Sequence, residues 1–144
     1  MSKREDDELA RAWHELMNRY HRVSCILDRK LQAEHGVTGS EFAVLEQLAD
    51  AQDCALRLHE LGEHTHVTQS ALSRLVARLE ADGLLERTLC VEDRRSVFAR
   101  LTPAGQELYR KARPTHRAVL RESGGECLAA VGSVFAAAEP LAVR

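Results

Sequence analysis

The sequence predicts a mainly helical chain with one small β-hairpin, and three observations carry that expectation. Hydrophobic residues make up 44% of the 144 positions but aromatic ones only 4%, so the core should be built from Leu, Val and Ala. Apolar residues recur at three- and four-residue steps along most of the chain, which is the period of an amphipathic helix. That period changes once. Leu84 to Val91 and Ser96 to Leu101 are rich in β-compatible residues and enclose the polar turn Glu92-Asp93-Arg94-Arg95. A short helix followed at once by such a hairpin, with two arginines at its tip, outlines a winged helix-turn-helix.

Taken in order, Leu9, Trp13, Leu16, Tyr20, Val23 and Leu27 alternate four- and three-residue steps, the seam of a helix that packs along another helix. This first helix is expected over residues 6–35, with Gly36 ending it. Thr38 and Glu41 have capping-box spacing and open a second helix, with Phe42, Leu45, Leu48 and Ala49 on one face. Asp50 to Asp53 is a polar break. Leu56 and Leu58 then flank Arg57 in a short extended piece, and His59 to His64 suit a brief third helix. Thr68 is a good N-cap for the fourth. Its apolar stripe is Leu72, Leu75, Val76 and Leu79; its outer face carries Gln69, Ser70, Ser73, Arg74, Ala77 and Arg78. Gly83 sits where such a helix stops in a left-handed residue. Two short helices, the second with a polar outer face, make a helix-turn-helix pattern.

Beyond the hairpin, Thr102-Pro103 starts a fifth helix, since proline at the first helical position loses nothing by lacking an N–H. It runs through Leu108 and Tyr109 towards Arg121, and Pro114 is expected to kink it. Ser123-Gly124-Gly125 reads as a break. A last helix over Cys127 to Ala138 then shows Leu128, Val131, Val134 and Phe135 on one face.

Net charge is −2 and the isoelectric point about 6.4, against a purely charge-driven binder of nucleic acid, whose domain would be basic. A specific binder is compatible, because placement matters more than the sum. Over 68–100 the cations Arg74, Arg78, Arg87, Arg94, Arg95 and Arg100 outnumber Glu80, Asp82, Glu86, Glu92 and Asp93 by one. The four cysteines, Cys25, Cys54, Cys90 and Cys127, form no CxxC pair, as expected of reduced thiols in a cytosolic protein. The start MSKREDDE is too charged for a signal peptide, and no apolar run approaches the ~20 residues of a membrane span, so a cytoplasmic location is expected. There is no GxSxG, P-loop or Rossmann glycine pattern, so no enzyme is expected. His59, Glu60 and His64 are spaced HExxxH, not HExxH; five residues turn the second histidine roughly 140° from the first, away from a shared metal.

GVTGSEFAVLEQL, LRLHELGEHTHVTQSALSRLVARLEADGLLER and EDRRSVFARLTPAG resemble the MarR family of dimeric bacterial transcription regulators, over about residues 36 to 110. Most specific is Asp93-Arg94-Arg95 followed by Leu101-Thr102-Pro103-Ala104-Gly105, joined to Gly83-Leu84-Leu85-Glu86-Arg87. The resemblance implies a winged helix-turn-helix over 37–102, with dimerisation helices over 6–35 and 103–140. It implies a homodimeric, sequence-specific regulator, a repressor, on a palindromic operator, with two reading helices in major grooves about 34 Å apart. Ser70, Ser73 and Arg74 lie early on the exposed face, within reach of base edges, and arginine is the usual bidentate partner of guanine. Arg78, a turn further on, suits a phosphate; Thr68 and Gln69 complete the helix start. The family's wing arginine matches Arg95, with Asp93 to hold it and Arg94 beside it, suited to a narrow minor groove.

Many relatives bind a small aromatic or anionic effector, for which Trp13, His14, Met17 and Tyr20 are the candidates. The urate-responsive branch has an acid after the aromatic of the second helix; here Phe42 is followed by Ala43, so urate is not expected. No cofactor or metal is expected. Three alternatives stand: a thiol switch at Cys25 or Cys90, a zinc switch at Cys54, His59, His64 and His66, or a protein-interaction module that does not bind DNA.

Overall fold

A computed structural model of the chain describes residues 2–89 and 96–137, with side chains through 125. In chain order it has α1 (Lys3–His35), α2 (Gly39–Asp50), a single 3₁₀ turn (Gln52–Cys54), β1 (Ala55–Arg57), α3 (Leu58–Thr65), α4 (Gln69–Ala81), β2 (Leu85–Leu89), β3 (Val97–Leu101) and α5 (Pro103–Ala137). Two compact units result. One is Asp28–Thr115; the other combines the chain up to Leu27 with the segment from His116 onward.

The Asp28–Thr115 unit is the winged helix-turn-helix. Thr38 caps α2 in a full capping box: its hydroxyl accepts from the Glu41 amide at 3.1 Å, and its own amide donates to Glu41 Oε1 at 3.4 Å. Asp28 adds to this start by accepting from the Gly39 amide at 2.6 Å. Phe42, Leu45, Leu48, Leu61, Leu72, Val76 and Leu79 are buried and join α2, α3 and α4 in one core. Each such side chain contributes roughly 1.5–3 kcal/mol by leaving water. The sheet is antiparallel, in the order β1-β3-β2, with Ala99 of β3 between Leu56 of β1 and Arg87 of β2.

The turn from α4 into β2 needs Gly83, whose φ of 75° is left-handed. Thr102 then ties that turn to α5. Its hydroxyl donates to the Gly83 carbonyl at 2.6 Å and accepts from the Gly105 amide at 3.1 Å, while its amide donates to the Leu84 carbonyl at 3.2 Å. Gly105 lies so close to Leu84 that a Cβ would overlap the Leu84 carbonyl oxygen.

The C-terminal helix corrects one expectation. The predicted break at Ser123-Gly124-Gly125 does not occur: α5 is continuous over Pro103–Ala137, with Pro114 inside it. Neither Gly124 nor Gly125 has a positive φ, so neither acts as a left-handed stop. A glycine in a helix interior costs only about 1 kcal/mol relative to alanine, too little to end a helix flanked by good formers such as Leu120, Arg121 and Glu122. One helix therefore stands where two were expected. The apolar face assigned to Leu128, Val131, Val134 and Phe135 lies outside the described side chains, as does Cys127. α1 also starts earlier than expected, because Ser2 and Glu5 form a second reciprocal cap (Glu5 amide to Ser2 hydroxyl 3.3 Å, Ser2 amide to Glu5 Oε2 2.6 Å).

In the other unit, Val23 and Val119 are buried while Trp13, Met17, Tyr20 and Leu120 are exposed, Trp13 and Tyr20 each by 62%. No helix among the described residues is long and apolar enough to cross a membrane.

Candidate nucleic-acid interface

The reading helix is positioned by what lies under it. α3 closes on His66, left-handed at φ 56°, with the Thr65 hydroxyl donating to the Leu61 carbonyl at 2.7 Å. Val67 and Thr68 complete the turn, and the Thr68 hydroxyl caps α4 by accepting from the Ala71 amide at 3.2 Å. The two helices meet closely at Gly62, where an added Cβ would stand 3.1 Å from Gln69 Nε2 and 3.3 Å from Leu72 Cδ2. Leu72, Val76 and Leu79 are buried, which fixes the rotation of α4. The opposite face, Gln69, Ser70, Ser73, Arg74, Ala77 and Arg78, is exposed, as is Thr68. The helical period predicted this division; Leu75 alone differs, being only half-buried at the edge of a surface cleft.

Glu80 and Arg78 take partners the sequence reading did not assign. Glu80, at the end of α4, holds Arg87 of β2. Its Oε1 accepts from Arg87 Nη2 at 2.9 Å, and its Oε2 accepts from Arg87 Nε at 3.2 Å and from the Arg87 amide at 3.1 Å. These bonds from Arg87 hold the Glu80 carboxyl below the usual carboxylate range, and Glu80 raises Arg87 in return. The pair fastens the end of α4 to the first strand of the hairpin. Arg74 makes no hydrogen bond or ion pair among the described residues, so its guanidinium is available at the surface. Arg78, 59% exposed, lies with Nη1 3.8 Å from Oε1 of the buried Glu41. Sequence spacing identified Glu41 as a cap; its second contact depends on α2 and α4 meeting, which no local pattern announces.

Asp93, Arg94 and Arg95, the wing tip, lie outside the described residues, as does Cys90. β2 and β3 are paired up to Leu89 with Val97, so the two strands that would carry the tip are in place. Trp13, His14, Met17 and Tyr20 are all exposed on α1. Cys25 is exposed, its Sγ 3.6 Å from His21 Nε2, and Cys54 is half-buried. His59 pairs with Glu63 at 3.2 Å, and Cys54, His59, His64 and His66 are not gathered into a metal-binding group among the described residues.

Residues 35–96 match the model of the MarR family. The chain is 33% identical to an HTH-type transcriptional repressor of Mycobacterium bovis over 101 residues, covering 68% of this chain and 71% of the relative. Among solved structures, it is similar to a MarR family transcriptional regulator from Streptomyces coelicolor in complex with DNA. The identity is 30%, the TM-score 0.75, and 86% of this chain and 82% of that one are covered. It is also similar to a Bordetella bronchiseptica regulator whose DNA binding is regulated by 6-hydroxynicotinic acid (identity 26%, TM-score 0.74, 87% and 96% covered). The chain spans about half the length of several other curated relatives it matches, from 47% to 55%.

Proposed function

The chain belongs to the MarR family of winged-helix transcription regulators, and from that premise we propose that it is a repressor acting as a homodimer on a near-palindromic operator. One observation carries the reading of the site. α4 turns Ser70, Ser73 and Arg74 outward, and Arg74 has no partner of its own among the described residues. A guanidinium held out from a capped, core-anchored helix is suited to the O6 and N7 of guanine in a major groove. Thr68 and Gln69 stand at the helix start, where amides and hydroxyls meet phosphate, and Arg78 reaches towards the backbone a turn further on. Arg95, with Asp93 and Arg94, would enter the adjacent minor groove.

A small aromatic or anionic effector would release the operator by favouring a dimer whose two reading helices no longer match the operator spacing, a shift between two populations. Trp13, His14, Met17 and Tyr20 are the proposed effector contacts. Support for control by such a ligand comes from the Bordetella regulator, whose DNA binding is regulated by 6-hydroxynicotinic acid. The test of the site is a gel shift at physiological salt. Arg74→Ala and Arg95→Ala should each weaken operator binding by about 1–3 kcal/mol, Arg74→Ala with relaxed preference at one base pair. Wild-type affinity in both variants would overturn the assignment.

A further inference from the structure

Glu41 is the buried charge that the capping role does not account for. A capping box needs one acceptor at this position, and glutamine supplies it as well as glutamate. Glu41 nonetheless carries a full carboxylate at 1% exposure, and its Oε2 accepts no hydrogen bond among the described residues. An unsatisfied carboxylate oxygen in that position calls for an explanation. The carboxylate lines a cleft of about 310 Å³ between the start of α2 and the face of α4, with Ser40, Ala71, Arg74 and Arg78 among the other walls. Among the described residues Arg78 is the cation within ion-pair distance of it, at 3.8 Å and without a hydrogen bond.

We infer that Glu41 is a specificity-determining counter-charge that withholds Arg78 from indiscriminate contact with phosphate. The inference rests on the DNA-binding reading of α4 and deepens it. Arg78 is long, exposed and always charged, and on its own it would add affinity for any duplex. With a buried carboxylate beside its guanidinium, binding a phosphate means giving up an attraction to a group that water cannot reach to compensate. Only a duplex docked closely along α4 repays that exchange. A chain whose net charge is −2 and whose reading segment has little cationic excess would gain discrimination in this way without adding base contacts.

The test uses the full chain and a mixed-sequence DNA duplex of about three helical turns, titrated over a range of salt. Glu41→Gln keeps the capping acceptor and removes the charge, so its melting temperature should stay near that of the wild type. Its affinity for the mixed duplex should rise about two- to fivefold, the size of one added exposed charge contact. The salt slope should steepen by up to about 0.9, the value of one further phosphate neutralised. The double variant Glu41→Gln with Arg78→Gln should return to wild-type affinity, because the gain runs through Arg78. Arg78→Gln alone should lower the mixed-duplex affinity by less than Glu41→Gln raises it, since in the wild type the Glu41 carboxylate already draws on this side chain. A Glu41→Gln protein that binds the mixed duplex like the wild type overturns the inference and leaves the reading of α4 standing, as does a gain that survives loss of Arg78 or a loss in Arg78→Gln alone that exceeds the Glu41→Gln gain. A wild type with no salt-dependent affinity for any duplex overturns both.

Discussion

Gly105 and Arg74 show how differently single residues act here. At Gly105 the constraint is steric. The first turn of α5 passes so close to the Leu84 carbonyl that no side-chain carbon fits, and the obstacle is backbone, which cannot swing aside as a side-chain tip can. Gly105→Ala should therefore lower stability by about 1–3 kcal/mol, as overpacking does, seen as a lower urea midpoint at unchanged slope. An unaltered midpoint would mean that the turn between α4 and β2 yields easily. At Arg74 the constraint is chemical: nothing among the described residues holds its guanidinium. Arg74→Ala should leave the unfolding free energy from urea titration within about 0.5 kcal/mol of the wild type, as surface substitutions do, so loss of operator binding in that variant can be ascribed to contact with DNA.

Among the elements, the junction of α4 with the hairpin is held by Glu80 and Arg87. Glu80 has its carboxyl pKa lowered below the ordinary 4.5, first by the side-chain hydrogen bonds from Arg87. A carboxyl depressed in the folded state stabilises it in full above the ordinary value, and that contribution is lost as pH falls through the lower folded value. Thermal melts from neutral pH into acid should show this decline in the wild type and a shallower one in Glu80→Gln, whose amide does not titrate. Equal slopes would show that the pair adds nothing to stability. α5 allows a test of the opposite sign. Gly125 is helical, and a Cβ there would meet nothing within 4 Å among the described residues. Gly125→Ala should raise stability by about 0.5–1 kcal/mol by restricting the unfolded chain and favouring the helix. A fall instead would place a close neighbour against that turn.

For the molecule as a whole, the expectation of a dimer centres on α1. Its seam is only partly covered within one chain: Leu9 and Leu16 are half-buried, whereas Trp13 and Tyr20 remain 62% exposed. Large aromatic side chains bury 150–250 Å² each when a partner covers them, so this stripe is suited to a second copy. Trp13 is the sole tryptophan of the sequence and hence a natural reporter. Its fluorescence should shift to the red on dilution, in step with a fall in mass by analytical ultracentrifugation, and Trp13→Ala should favour the lighter species. Emission that stays constant while the mass halves would place the contact elsewhere.

Much of this architecture could be read along the chain, because it depends on neighbours a few residues apart. The caps at Thr38 and Thr68, the helix start at Thr102-Pro103, the left-handed Gly83, the α4 stripe with its exposed opposite face, and the paired strands of the hairpin all follow from local periods and turn chemistry. The family resemblance was legible for the same reason, since its motifs are short runs. Partnerships across the fold were not. That Glu80 meets Arg87 depended on how the chain reverses at Gly83, and the approach of Arg78 to Glu41 depended on α2 and α4 sharing one core. The glycine pair in α5 misled for a related reason: a glycine permits a stop without imposing one, and the outcome rests on the helix around it.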